Sequence, residues 1–322
     1  MNILLNGGSV YIGAYTAEVL SQAGHEVVLS DNFCNSNPSA LDRLQKILGK
    51  ALPCIEGGVR DADIVERVLR EYKIDPVIHF AGLKAVGESA EKPIEYYANN
   101  VQGALSLLEV IKLCSIKTLV FSAGATVYGD PQYLPYDENH PTEPTNIYGR
   151  TKLQAEEILK GVASADRRLR IVCLRYFNPV GAHNSGFIGE DPHGGPDNLL
   201  SFLMQVASGN LSRLNIYGTG ERDYIHVIDL AEGYVASLSC LKNCIGFGCI
   251  NLCTGIARSV IELIKIFELA TGQKIESETA SRRKGDLPVY CANSHLANEL
   301  LRWRPKEMLE GAWSWRLNSL ID

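Results

Sequence analysis

Tyr148-Gly-Arg-Thr-Lys152 sets a phenol and an ammonium four residues apart, which on a helix puts both side chains on one face, one turn from each other. A lysine cation beside a phenol favours the phenolate, giving a general base usable near neutrality. The pair predicts a proton-transfer centre with Tyr148 as base and Lys152 as its electrostatic partner. A second stretch, Asn6-Gly-Gly-Ser-Val-Tyr-Ile-Gly13, follows the opening apolar run. Gly7 and Gly13 stand where a phosphate-binding turn wants them, and the helix expected to start near Ile12 offers free N–H groups and the positive end of its dipole to a pyrophosphate. Asp31 closes the next apolar run about 20 residues on, where a carboxylate hydrogen-bonds adenosine ribose hydroxyls and disfavours a 2′-phosphate. Turn, helix and acid together predict NAD rather than NADP. Val10 occupies the middle glycine position. If that position needs φ > 0, valine there costs on the order of 1–2 kcal/mol. If it needs close backbone approach, the isopropyl group presses on the phosphates. The loop therefore reads as a damaged dinucleotide loop.

Positioning these groups requires alternating elements. "NILLN", "EVVLSD", "PVIHF", "TLVFSA" and "RIVCLRY" are apolar, β-branched runs of strand length, and helical patterns over 12–24, 93–114 and 146–162 lie among them. Such β-α-β alternation predicts an α/β fold with a doubly wound parallel sheet, and it places the Tyr148 helix after the fifth run. From Asn178 to Pro196 the text turns Pro- and Gly-rich, too long for a simple turn and of a length that is usually functional. Shorter segments then predict a smaller C-terminal cap. The expected division is 1–177 for the NAD-binding part and 178–322 mainly for the substrate, with some segments returning to the first part.

Composition narrows the function classes. The chain has 322 residues, 46% hydrophobic and 21% charged, with net charge −6. That suits a globular protein of one large and one smaller domain. With no basic block, nucleic acid is not an expected partner. No apolar run approaches the roughly 20 residues of a membrane span, and the N-terminus shows no leader pattern, so a cytoplasmic protein without membrane attachment is expected. The nine cysteines form no Cys-x-x-Cys pair and have no ligand-spaced His or acid; they read as reduced, small apolar side chains, with no metal.

Several stretches carry a resemblance: "HFAGLKAVGES" (79–89), "ATVYGD" (125–130), "LRYFNPVGAH" (174–183), "GEDPHGGPDNL" (189–199), "RDYIHVIDLA" (222–231) and "GDLPVY" (285–290). With these the chain resembles the extended short-chain dehydrogenase/reductase family over nearly its whole length, and within it the UDP-glucose (UDP-galactose) 4-epimerases. The resemblance implies a Rossmann-type NAD domain and a UDP-sugar domain. It implies NAD contacts from Gly7, Tyr11, Ile12, Gly13, Asp31, Asn32, Phe33, Cys34, Asn35, Ser36, Val59, Phe80, Ala81, Gly82, Leu83, Lys84, Asn99 and Phe177, with Tyr148 and Lys152 serving both cofactor and chemistry. It implies UDP-sugar contacts from Asn178, Asn198, Leu199, Asn215, Ile216, Tyr217, Arg222, Arg283, Asp286 and Tyr290. The guanidinium forks of Arg222 and Arg283 suit a diphosphate, and the Tyr290 ring is expected to fill the volume that a 2-acetamido group would need. The implied reaction interconverts UDP-glucose and UDP-galactose through a transient 4-keto sugar. The expected assembly is a homodimer through the 93–114 helix and the Tyr148 helix.

The chain also departs from that family. The resemblance implies a Ser or Thr hydroxyl at position 124, where this chain has Gly124; loss of such a donor costs typically 10²–10³ in rate, and restoring serine is expected to raise turnover at least about tenfold. Thr126 is the alternative hydroxyl, if strand alternation turns 124 and 126 to one face. The acid that the resemblance pairs with adenine is Gly58 here, a loss of about 0.5–1.5 kcal/mol, and the loop before Arg222 is short. Two readings stay open: a slow 4-epimerase, or an inactive homologue that binds nucleotide sugars. A sugar-nucleotide dehydratase is disfavoured, since 125 and 126 are Ala and Thr rather than an acid pair.

Overall fold

The computed structural model describes residues 1–189, 199–218, 220–241, 246–281, 289–307 and 309. β1 (Asn2–Asn6) enters the glycine turn and then α1 (Tyr11–Gln22). β2 (Glu26–Asp31) leads to α2 (Ser39–Leu48), which stops where Gly49 adopts φ 69°. β3 (Cys54–Glu56) precedes α3 (Ala62–Glu71), whose first turn is capped by the Asp61 carboxylate accepting from Ile64 N. β4 (Val77–His79) is followed by α4 (Val86–Glu91), α5 (Pro93–Tyr96), a wide turn over Tyr97–Val101 and α6 (Gln102–Leu113). The 93–114 helix expected from the sequence thus forms with a π-type turn inside it. β5 (Thr118–Ser122) runs to a 3₁₀ turn over Ala125–Val127, and Asn146 caps α7 (Ile147–Ala165) by accepting from Gly149 N at 2.8 Å. β6 (Arg170–Tyr176) and β7 (Asn178–Val180) complete the first half.

Then follow α8 (Leu199–Ala207), β8 (Leu214–Tyr217), β9 (Glu221–His226), α9 (Val227–Leu241), β10 (Gly246–Leu252) and β11 (Ala257–Ser259). Ser259 and Glu262 form a reciprocal capping box on α10 (Val260–Thr271); β12 (Ser277–Ala280), β13 (Val289–Tyr290) and α11 (His295–Leu301) end the described elements.

Seven parallel strands make the main sheet in the order β10-β6-β5-β4-β1-β2-β3. Alternate residues serve opposite faces. Ile3 and Leu5 join the core under α1 and α9, while Leu4 joins the one under α3, α6 and α7. The strand order reverses beside β1, and the crevice opens there at the strands' carboxyl ends. A smaller layer joins β11-β9-β13 with β7 against β9, a separate β12-β8 pair, and its own core around Leu203, Leu263 and Phe267. β10, with its three glycine and cysteine residues, lacks a strand-like run in the sequence and is specified by pairing along all of β6.

Candidate active site

Gly7 has φ +76°, and a Cβ there would stand 2.5 Å from Ala81 N; one on Gly13 would stand 2.8 Å from Gly7 O. These glycines let β1, the β4 loop and α1 converge. Val10 does not need the backbone of a glycine. Its φ is −79° and ψ 159°, extended geometry open to any residue, so the strain expected for valine is not there. It stands at the helix N-cap, offers no side-chain acceptor to the first-turn N–H groups, and lines the crevice. Asp31 ends β2 with its carboxylate accepting from Ser9 N (3.1 Å), Ser9 Oγ (2.5 Å), Phe33 N (2.9 Å) and Ser36 Oγ (3.4 Å). Ser9 had no sequence signal beyond its place in the loop; its role comes from the turn folding back on β2.

A single cavity of about 1370 Å³ connects this region to the smaller layer. Of the cofactor candidates, Gly7, Tyr11, Ile12, Gly13, Asp31, Asn32, Cys34, Asn35, Val59, Phe80, Ala81, Gly82, Lys84, Asn99 and Phe177 line it. Phe33, Ser36 and Leu83 do not. The Phe33 backbone N–H and the Ser36 hydroxyl both donate to the Asp31 carboxylate, and the Leu83 amide is held by Asn100 Oδ1 at 2.8 Å. Gly58 faces open space, where a Cβ would meet only Asn32 Nδ2, at 3.9 Å. These residues fit a dinucleotide: a close-approach glycine turn, an uncapped helix start and an acid at the end of β2 share one wall.

Tyr148 and Lys152 sit mid-cavity on α7, 7% and 5% exposed. Lys152 Nζ donates to Ser122 O at 2.8 Å and lies 5.9 Å from the Tyr148 ring centroid. Burial lowers its pKa to about 8, against the opposing charge of Glu156, which itself pairs with Arg175 at 2.6 Å. The expected drop in the Tyr148 pKa is not what the protein alone produces. Burial drives the phenol well above its usual value, and the neighbouring Tyr176 and Tyr96 push the same way. The ammonium is directed at a carbonyl rather than the phenolic oxygen, so burial wins.

Gly124 has φ +107° and ψ 147°, a region essentially reserved for glycine. A serine there would be strained, which revises the expectation of a simple repair. Thr126 lies on the 3₁₀ turn rather than on an alternating strand, yet its Oγ1 comes within 3.8 Å of where a Cβ on Gly124 would be.

Among the substrate candidates, Asn178, Leu199, Asn215, Ile216, Tyr217, Arg222 and Tyr290 line the far end of the cavity. Asn178 Nδ2 is occupied by Asp223 O at 2.9 Å. Tyr290 packs its ring on Phe177 and Tyr136, 5.1 Å from each, and its hydroxyl donates to Ala125 O. It is at once a cavity wall and an anchor of the 3₁₀ turn. Asn198, Arg283 and Asp286 lie outside the described residues. Arg213, Tyr176 and Ser122 line the cavity without having been signalled; only the fold brings them there.

A profile of the NAD dependent epimerase/dehydratase family matches residues 3–249. The UDP-glucose 4-epimerase of Neisseria meningitidis serogroup A is 45% identical, over 99% of this chain and 98% of its own. Among solved structures, a UDP-glucose 4-epimerase from Stenotrophomonas maltophila with bound NAD and formylated UDP-arabinopyranose aligns with TM-score 0.97 and 40% identity, covering 100% of this chain and 98% of its own. The Bifidobacterium longum enzyme in complex with NAD+ and UDP aligns with TM-score 0.94 and 45% identity, covering 99% and 97%.

Proposed function

The chain belongs to the NAD dependent epimerase/dehydratase family, and from that premise we propose that it is an NAD-dependent UDP-glucose 4-epimerase, interconverting UDP-glucose and UDP-galactose. The observation that carries this reading is the continuous cavity, with the glycine turn and Asp31 at one end, Asn215–Tyr217 and Arg222 at the other, and Tyr148 between. NAD bound there supplies a hydride acceptor that is restored within each turnover, and a positive ring charge that favours the Tyr148 phenolate. The first turn of α1 takes the pyrophosphate and Asp31 the adenosine ribose. Arg222 takes the UDP diphosphate from the opposite wall, with Arg283 and Asp286 assigned to the same ligand by resemblance alone. Tyr148 accepts the proton of the sugar 4-hydroxyl and later returns it. Lys152 keeps positive charge on that side of the cavity at pH values below about 8. Tyr148 is itself only 7% exposed, which limits the water that reaches a 4-keto sugar held against it. Residues 1–177 form the cofactor part in this reading, and 178–322 mainly the substrate part.

The same reading includes a homodimer. Ile94, 82% exposed on α5, with exposed Leu105 on α6 and Val162 on α7, supports pairing through these helices, and light scattering at micromolar concentration reads it directly. A cytoplasmic location is supported by the free cysteines of the described residues; no helix among those residues is long and apolar enough to cross a membrane.

The deciding experiment identifies the nucleotide that copurifies, by mass, and follows UDP-glucose conversion by chromatography. Bound NAD and formation of UDP-galactose are expected. NAD and UDP-sugar binding without conversion would replace the enzyme reading with that of a nucleotide-sugar binding protein.

A further inference from the structure

We propose that the buried Glu156–Arg175 ion pair is a positioning element of this site: Glu156 supplies the negative charge that keeps Lys152 an ammonium at neutral pH, and Arg175 fixes that carboxylate one helical turn behind it. The proposal rests on the 4-epimerase reading, which uses Lys152 and gives the pair no role.

The geometry comes first. Tyr148, Lys152 and Glu156 recur every four residues, so they form one stripe along α7, and all three are buried. Glu156 is 3% exposed and Arg175 5%. From β6, Arg175 grips the carboxylate with its fork: Nε donates to Oε1 at 3.0 Å and Nη2 to Oε2 at 2.6 Å. The same guanidinium lies over the Tyr128 ring, 4.9 Å from its centroid, and the Cys249 thiol on β10 donates to Oε2 at 3.7 Å. Contacts from two strands thus fix where the negative charge sits. The residues that follow Arg175, Tyr176 to Asn178, line the cavity, so the pair also ties the helix of the base to that wall.

Stability alone does not call for such a pair. Each buried ion gives up its hydration, and well-packed apolar residues of the same volume commonly serve a core as well. The flanking side chains, Ala155, Leu159 and Cys173, belong to an apolar core. What the pair does have is a charged neighbour one turn away. Lys152 donates to Ser122 O at 2.8 Å, a neutral acceptor that leaves its charge unbalanced.

Among the described residues around Lys152, Glu156 is the group that balances it. Burial lowers the lysine pKa to about 8, and Glu156 is the first influence that opposes the fall. His79, on β4, is held neutral, its pKa lowered to about 3 by burial and by Lys152 itself. Burial pushes the Cys173 thiol and the Tyr148 and Tyr234 phenols well above their ordinary values, so these keep their protons. Glu138, raised by burial, accepts from Asn251 N and feels Arg175. Removing the Glu156 carboxylate therefore acts twice in one direction. The ammonium loses its counter-charge, and the Arg175 cation is left without its own. The Lys152 midpoint should fall by at least about one pH unit, and the lysine turns neutral closer to pH 7.

The test compares wild type with Glu156→Gln, Glu156→Asp and the apolar double variant Glu156→Met with Arg175→Met. Carbon-13 NMR of protein labelled at lysine Cε reads the Lys152 midpoint directly, its resonance identified by its absence in Lys152→Met. In parallel, kcat for UDP-glucose is followed from pH 6 to pH 9. Expected is a midpoint lower by about one pH unit or more in E156Q and in the double variant, and within about half a unit of wild type in E156D, which keeps the charge. The kcat loss in E156Q should then be about sevenfold larger at pH 8.5 than at pH 6. The double variant leaves no buried ion unpaired and carries the test if E156Q does not fold. Equal Lys152 midpoints in wild type and the charge-removing variants overturn the proposal. A kcat loss of the same size at every pH overturns it as well, since that is the mark of a purely structural pair. Wild-type protein that makes no UDP-galactose overturns the epimerase reading, and the NMR midpoints still decide whether Glu156 holds the charge on Lys152.

Discussion

Gly124→Ser tests whether the fold has rearranged around the missing side chain. From the sequence alone the substitution is a repair worth at least about tenfold in turnover. The backbone at φ +107° and ψ 147° changes that expectation. Space is not the obstacle, since a Cβ there keeps 3.6 Å from its nearest neighbour. Strain is the obstacle: an L-residue in this region costs of order 1–3 kcal/mol, which for a chain of this length lowers Tm by only a few degrees. The gain is limited as well. If Thr126 already supplies a donor, a second hydroxyl in the same volume raises kcat less than about tenfold, whereas in a Thr126→Val background the serine should recover at least about tenfold. The assay is kcat for UDP-glucose conversion in the four proteins of this cycle, with calorimetric unfolding of each. A gain of a hundredfold or more in the wild-type background, with stability unchanged, would refute both the strain at Gly124 and the donor at Thr126.

Tyr290→Cys should relax discrimination against UDP-N-acetylglucosamine by roughly 10–100-fold, the size of the overpacking that the ring imposes, read as a ratio of kcat/KM values. Tyr290→Phe removes only the hydroxyl held on Ala125 O, and is expected to lower kcat while leaving that ratio within threefold; a changed ratio would show that the hydroxyl, not the ring, sets the size limit. Acid stability should report His79, whose pKa burial lowers to about 3, with Lys152 adding to the effect. Its folded pKa lies below the unfolded one, so its neutral form contributes stability that is complete above about pH 6.5 and is lost as pH falls towards 3. Urea unfolding at pH 7 and pH 5.5 should show wild type losing about 1 kcal/mol more than His79→Leu, and equal losses would show that the ring is solvated.

The sequence by itself determined whatever depends on neighbours along the chain. Strand runs such as Asn2–Asn6 and Arg170–Tyr176 were legible because buried parallel strands are continuous apolar runs. The pairing of Tyr148 with Lys152 followed from helical spacing, and the cofactor wall from a glycine turn with an acid at the end of the next strand. Tertiary structure decided what depends on groups far apart in the chain. β10 is a strand because β6 pairs with it, not because its Gly- and Cys-containing text prefers one. Val10 is unstrained because of the φ that the turn adopts. The Tyr148 phenol is raised because burial outweighs an ammonium drawn off to Ser122 O, and no spacing rule reports where a lysine points. Thr126 meets the volume left by Gly124 through a 3₁₀ turn seated on Gly149 and tied to Tyr290. Spacing orders side chains on one element, whereas desolvation and contacts between elements are set only once the chain has packed.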